Sequence, residues 1–120
     1  MPVRSLNSSV LRWPDRATVE RAAATWAARE APRHAGLLRL GYFGSYARGD
    51  AGVGSDLDLI AVVERSALPF ERRALDWDLL ELPVPAEILV YTREEWERLH
   101  RDGTRFARTI EREARWLVGS

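Results

Sequence analysis

Two short stretches of the chain hold residue types that do chemistry. The first is Gly44-Ser45-Tyr46-Ala47-Arg48-Gly49; the second, a few residues on, is Ser55-Asp56-Leu57-Asp58-Leu59. In an extended strand, residues two apart point to the same face, about 6–7 Å apart along the backbone. Asp56 and Asp58 are therefore expected to project side by side from the start of an otherwise apolar run. Two carboxylates so placed repel each other and resist desolvation, and something cationic usually compensates. Arg48 is the nearest candidate in sequence and could offset only part of that charge. A hard divalent ion suits the pair better, since Mg²⁺ is typically held by one or two carboxylates plus substrate phosphates. A bare Asp-x-Asp pair is more often a solvated loop or a helix cap, so the glycine loop before it matters. Gly44 lets a backbone approach a ligand closely. The Ser45 hydroxyl and nearby amides can donate to phosphate oxygens, especially where a helical turn starts.

Two better-known phosphate-binding patterns are excluded. Gly44 and Gly49 have the spacing of a P-loop, but Asp50-Ala51 stands where Lys-Ser/Thr is required. Gly49, Gly52 and Gly54 are not in Gly-x-Gly-x-x-Gly order, and no strand–loop–helix unit follows them.

The elements that must position these residues can be read from periodicity. Residues 1–14 lack a clear period and read as an N-terminal arm, in which Val10, Leu11 and Trp13 could pack on the domain or on a partner. Residues 15–120 read as one domain. Asp15 is a candidate N-cap, and Val19, Ala22, Ala23, Trp26 and Ala27 recur as one helix face ended by Pro32 and Gly36. Leu37–Phe43 and Leu57–Val63 read as buried strands flanking the glycine loop. Pro69 to about Trp77 reads as a helix with Pro in its first turn, and Ala86–Tyr91 as a third strand. Thr92 and Glu95 form a capping-box pattern, with Trp96 and Leu99 facing inward. Thr104 is expected to cap a last helix in which Phe106, Ile110, Ala114 and Leu117 share a side, with Glu111 and Arg115 as an i,i+4 pair outside. The order α, β, β, α, β, α, α predicts an α+β fold: a small mixed sheet with helices packed on one face. Trp26, Trp77, Trp96 and Trp116 read as core or rim packing, and His34 and His100 receive no catalytic role.

Bulk properties narrow the function classes. The 120 residues fit one domain, and 46% apolar with 30% charged residues is ordinary for a globular protein. No cysteine is present, which rules out disulfides and thiolate metal sites and fits a reducing, cytoplasmic setting. The N-terminus has no apolar signal-peptide core, and no apolar run approaches the ~20 residues of a membrane span. All 18 positive charges are Arg, and they balance 18 negative ones. Zero net charge argues against wrapping long nucleic acid but not against a single nucleotide, whose phosphates a metal can neutralise.

The ordered pair of motifs resembles the signature of the minimal nucleotidyltransferases, small members of the DNA polymerase β-like nucleotidyltransferase superfamily. That signature reads Gly-Ser-x-Ala-Arg-Gly, a spacer, then Ser-Asp-x-Asp-Leu, and the resemblance covers nearly the whole chain. It implies a polymerase β-like palm fold and in-line attack by a hydroxyl on the α-phosphate of a nucleoside triphosphate, releasing pyrophosphate. It also implies two Mg²⁺ ions during turnover, held by Asp56, Asp58 and a third acidic residue on a later strand. Glu87, in Ala86-Glu87-Ile88-Leu89-Val90-Tyr91-Thr92, occupies that place; the family usually has Asp there. Glu81 is the poorer alternative, cut off from that strand by Pro83 and Pro85. Gly44, Ser45, Arg48 and Ser55 are then the nucleotide-binding candidates. Ser45 would hold the distal phosphates, and Arg48 would either stabilise the leaving pyrophosphate or pair with an aspartate. The resemblance further implies AMP transfer from ATP to a partner protein, a small helical HEPN-family toxin, with this chain as the antitoxin. The competing expectation, favoured by Glu in place of Asp at 87, is a nucleotide- or partner-binding antitoxin module with little or no catalysis.

Overall fold

The computed structural model describes residues 13–119. Asp15 starts the first helix, its carboxylate accepting the Thr18 amide at 2.8 Å, and helix α1 runs Arg16–Glu30. α1 buries Val19, Ala23, Trp26 and Ala27, and a short 3₁₀ turn over Ala31–Arg33 follows. Strand β1 spans Leu37–Phe43. A single turn of helix, α2 (Ser45–Arg48), lies inside the glycine loop. Strand β2 spans Leu57–Val63, β3 Ala86–Thr92 and β4 Arg115–Val118; helices α3 (Arg93–Arg101) and α4 (Arg105–Glu113) lie between β3 and β4.

The sheet order is β3-β2-β1-β4. β1 pairs antiparallel with β2 and with β4, whereas β3 pairs parallel with β2. The sheet is therefore mixed, as expected. β2 lies inside it and is buried at every position but Asp58. Burial on both faces matches its near-continuous apolar sequence. The odd-numbered side chains of β2, Leu57 to Val63, join Leu40 and Tyr42 of β1 in a core closed by α1. The opposite face meets α3 and α4: Phe43 packs edge-on against Phe106, and Tyr91 contacts both Phe106 and Trp96. The helices thus cover both faces, where the sequence reading gathered them on one. Two apolar faces on a central strand each require a cover.

Three local expectations are corrected. Phe70–Asp76 is a 3₁₀ segment, and Pro69 stands just outside it instead of in its first turn. α4 ends at Glu113, so Leu117 belongs to β4 and not to the helix face that Phe106 and Ile110 share. Arg115 consequently makes no i,i+4 pair with Glu111; its Nε donates to the Ala47 carbonyl at 3.0 Å. Val10 and Leu11 lie outside the described residues. Trp13 packs against the core, and its indole N–H donates to the Tyr46 hydroxyl at 3.3 Å. No described helix is long and apolar enough to cross a membrane.

The capping box at α3 is present and does more than cap. Thr92 and Glu95 exchange side-chain-to-backbone bonds at 3.2 and 2.9 Å. The Glu95 carboxylate also grips the buried Arg73 guanidinium through both oxygens, at 2.6 and 3.1 Å. Arg73 donates as well to the carbonyls of Leu68 and Val90. One ion pair therefore ties the 3₁₀ segment to β3 and α3. The Arg73 bonds hold the Glu95 carboxyl below its ordinary value of 4.5 despite partial burial, and Thr92 adds to the effect. A lowered carboxyl pKa gives stability that is present above the ordinary value and lost as pH falls through the lowered one. Glu95→Gln is expected to cost about 1–2 kcal/mol at pH 7, reduced by the partial exposure of Glu95. Urea unfolding at pH 7 and at pH 3 checks this, because the gap between variant and parent should narrow in acid.

Candidate active site

β1 ends where β2 begins: Phe43 and Asp58 are cross-strand partners. Gly44 turns the chain away at φ 78°, ψ −153°, a conformation essentially reserved for glycine. A side chain there would overlap the Asp58 carboxylate, so the Gly44 backbone is packed directly on that acid. α2 follows and ends at Gly49, also at positive φ. The loop then returns through a turn in which the Ser55 Oγ accepts the Gly52 amide at 2.9 Å and the Ser55 amide donates to the Gly52 carbonyl at 3.0 Å.

A cleft of about 640 Å³ opens over this junction, lined on one side by Gly44, Ser45, Arg48, Asp56 and Asp58. Five of the residues singled out from the sequence are thus brought to one cavity. Ser55 is spent on the loop turn and is not among the lining residues. Glu87 is the parallel-register partner of Asp58 and so shares its face of the sheet, but it is exposed and stands outside the cleft lining. Glu81 is engaged by Arg29 instead.

The electrostatics of the cleft are dominated by uncompensated acid. Burial pushes the Asp58 carboxyl above its ordinary value; Glu87, Asp56 and Glu113 push it further, and Arg48 opposes them through space. Arg48 makes no ion pair with Asp56 or Asp58. Its guanidinium pairs with Asp50 at 3.2 Å and with Glu113 at 3.5 Å. Among the described residues, neither Asp56 nor Asp58 has any cationic partner within ion-pair distance. Two hard carboxylates left unpaired on one strand face suit a divalent cation. As they stand, no three acidic side chains among the described residues are close enough to share one ion.

The rest of the cleft lining comes from α4, through Arg105, Phe106, Thr109 and Glu113. By sequence, Phe106 belongs to the side of the helix shared with Ile110, and Arg105, Thr109 and Glu113 carry no assigned role. Their i, i+4, i+8 spacing is a polar stripe beside the apolar face of α4, and that is the signal that was available. Glu113 is held most closely. Its Oε2 accepts the Gly44 amide at 2.8 Å, and its side chain is only 12% exposed. Together, the junction offers donors for an anion at the loop, two acids for a metal ion, and an aromatic ring on the facing helix.

Known proteins resemble this chain in family and in fold. A family model described as a nucleotidyltransferase domain matches residues 27–117. Among solved structures, the chain resembles one from Sulfolobus solfataricus described as a "putative nucleotidyltransferase". The two share 21% identity at a TM-score of 0.56, over 69% of this chain and 75% of that one, a likeness of fold. No curated protein matches the chain in sequence. The family match takes in the loop from Gly44, both aspartates and the α4 wall, and on it the chain belongs to the nucleotidyltransferase domain family.

Proposed function

We propose that the protein is a Mg²⁺-dependent enzyme that transfers AMP from ATP to a hydroxyl group on a partner protein. The observation that carries this reading is the meeting of Asp56 and Asp58, unpaired, with the Gly44-Ser45 loop in one open cleft. Asp56 and Asp58 would hold the metal, which when bound supplies charge neutralisation at the phosphates and activation of the attacking oxygen. Ser45 and Arg48 face the same space and are suited to the distal phosphates, Arg through its planar donor fork. Phe106 also lines the cleft and would supply apolar contact to a base. Ser55 shapes the loop that presents Asp56. Glu87, the register partner of Asp58 on β3, would be the third acid. The choice of a protein acceptor, a helical partner of the HEPN type and a cytoplasmic setting rests on the motif resemblance and the absence of cysteine, not on the cleft.

A second reading is favoured by the position of Glu87. With that carboxylate outside the cleft lining, the domain could bind nucleotide and partner without turnover. Label transfer separates the two. With Mg²⁺ and ATP labelled at the α- or the γ-phosphate, the partner protein co-purified from the native host should acquire α-label only. The double variant Asp56→Asn/Asp58→Asn should transfer none. Mg²⁺-dependent nucleotide binding without transfer would leave the binding module as the better reading.

A further inference from the structure

Glu113 is the one acid in the cleft with its charge already engaged, and what engages it is the anion-binding side of the site. Its Oε2 takes the Gly44 amide at 2.8 Å and stands 3.5 Å from the Arg48 guanidinium. These are a backbone donor and a cation that the loop would turn toward a phosphate. The position is also poor for a carboxylate on local grounds, because Glu113 is the last residue of α4 and a helix C-terminus favours cations. Something beyond helix formation holds it there, and the two loop contacts are what the structure shows.

The geometry points to Glu113 as an internal stand-in for phosphate: its carboxylate occupies the Gly44–Arg48 donors in the free protein, and a triphosphate binds by displacing it. The inference rests on the nucleotide reading of the cleft. An anionic ligand that reached the loop with Glu113 in place would meet a like charge at hydrogen-bond range, and such a juxtaposition is strongly unfavourable in a half-buried site. Binding therefore includes moving one side chain, and affinity is reduced by the fraction of molecules in which that side chain blocks the donors. Displacement also removes one of the two ties between the loop and the end of α4, the other being Arg115 on the Ala47 carbonyl, and α4 contributes Arg105, Phe106 and Thr109 to the cleft. Phosphate arrival and adjustment of the wall that would contact the rest of the nucleotide are thereby coupled through one residue.

The test is phosphate binding, measured apart from transfer. Magnesium tripolyphosphate and magnesium ATP are titrated calorimetrically into the parent protein and into Glu113→Gln, which keeps the side-chain shape and removes the charge. The variant is expected to bind both about tenfold more tightly. In ¹⁵N-labelled parent protein, the Gly44 amide resonance should move on titration with magnesium tripolyphosphate, as its acceptor changes from carboxylate to phosphate. This measurement needs no variant and so holds even if Glu113→Gln folds poorly. Equal or weaker binding by a folded variant would overturn the inference, as would a Gly44 resonance unmoved at saturation. Transfer of α-label together with either of those results would sink this inference alone. Tight phosphate binding with the expected Glu113 effect but no α-label transfer would sink catalysis and leave the displacement standing.

Discussion

Asp58→Asn is expected to lower nucleotidyl transfer by roughly 10³-fold or more while leaving the ligand-free protein as stable as the parent, or more so. The stability half follows from the site's charge. Burial and the neighbouring Glu87, Asp56 and Glu113 raise the Asp58 carboxyl above its ordinary value of 3.8. A carboxyl whose folded pKa is raised favours the folded state in acid; that contribution disappears as pH climbs from the ordinary value through the raised one. At neutral pH the ionised group is therefore a net burden, which asparagine removes without changing shape. The expected rise in melting temperature is about 1–3 °C, small because Asp58 is only partly buried and water screens its neighbours. Calorimetric melting at pH 7 and pH 4 beside the transfer assay gives the answer. A variant that melts well below the parent would make Asp58 a structural residue, and one that keeps its activity would move the chemistry elsewhere. The trade of stability for function is common at sites that gather like charges.

Gly44→Ala is expected to be the more damaging change. Its backbone conformation is closed to residues with a Cβ, and the added methyl would overlap the Asp58 carboxylate. Strain of about 1–3 kcal/mol from the backbone alone, with the overlap added, predicts a loss of about 2–4 kcal/mol in stability. Activity should fall by about 10²-fold or more, because the loop and the acid can no longer keep their spacing. Gly54→Ala is the control. Gly54 also has positive φ, at 87°, but a Cβ there would meet nothing within 4 Å, so only about 1 kcal/mol of backbone strain is expected. Urea unfolding of both variants compares them. Equal losses would show that contact with Asp58 carries none of the penalty.

How legible the protein was in its sequence depended on whether a feature was local. Asp15, Thr92 and Thr104 all cap the helices their spacing assigned to them, because a cap is settled within four residues. The buried strands β1, β2 and β3 were visible as apolar runs bounded by turns. The glycine loop and Asp56–Asp58 were visible because the loop itself brings them together. β4 was misread because Ala114, Arg115 and Leu117 are good helix formers at helical spacing. The open edge of β1, which pairs with Trp116 and Val118, decides otherwise, and strand pairing routinely overrides intrinsic preference. Phe70–Asp76 went the same way, since its shape answers to the Arg73 ion pair with Glu95, more than twenty residues along the chain. The α4 wall was missed for the converse reason. Arg105, Thr109 and Glu113 look like an ordinary solvated stripe until the fold sets them opposite Gly44, and no spacing rule connects residues that far apart.

The placement of β4 bears on when the protein becomes competent as it is made. A ribosome delivers β1, the glycine loop and both aspartates well before α4 and β4, so the acids exist early. The residues that fix the loop, Glu113 on the Gly44 amide and Arg115 on the Ala47 carbonyl, emerge only near residue 115, together with the strand that closes the outer side of β1. Until then β1 keeps an unpaired edge, open to stray pairing with other nascent chains, and the cleft lacks one wall. Translation therefore imposes an order on this domain: the charged half of the site waits, unassembled, for the last elements of the fold to set its geometry.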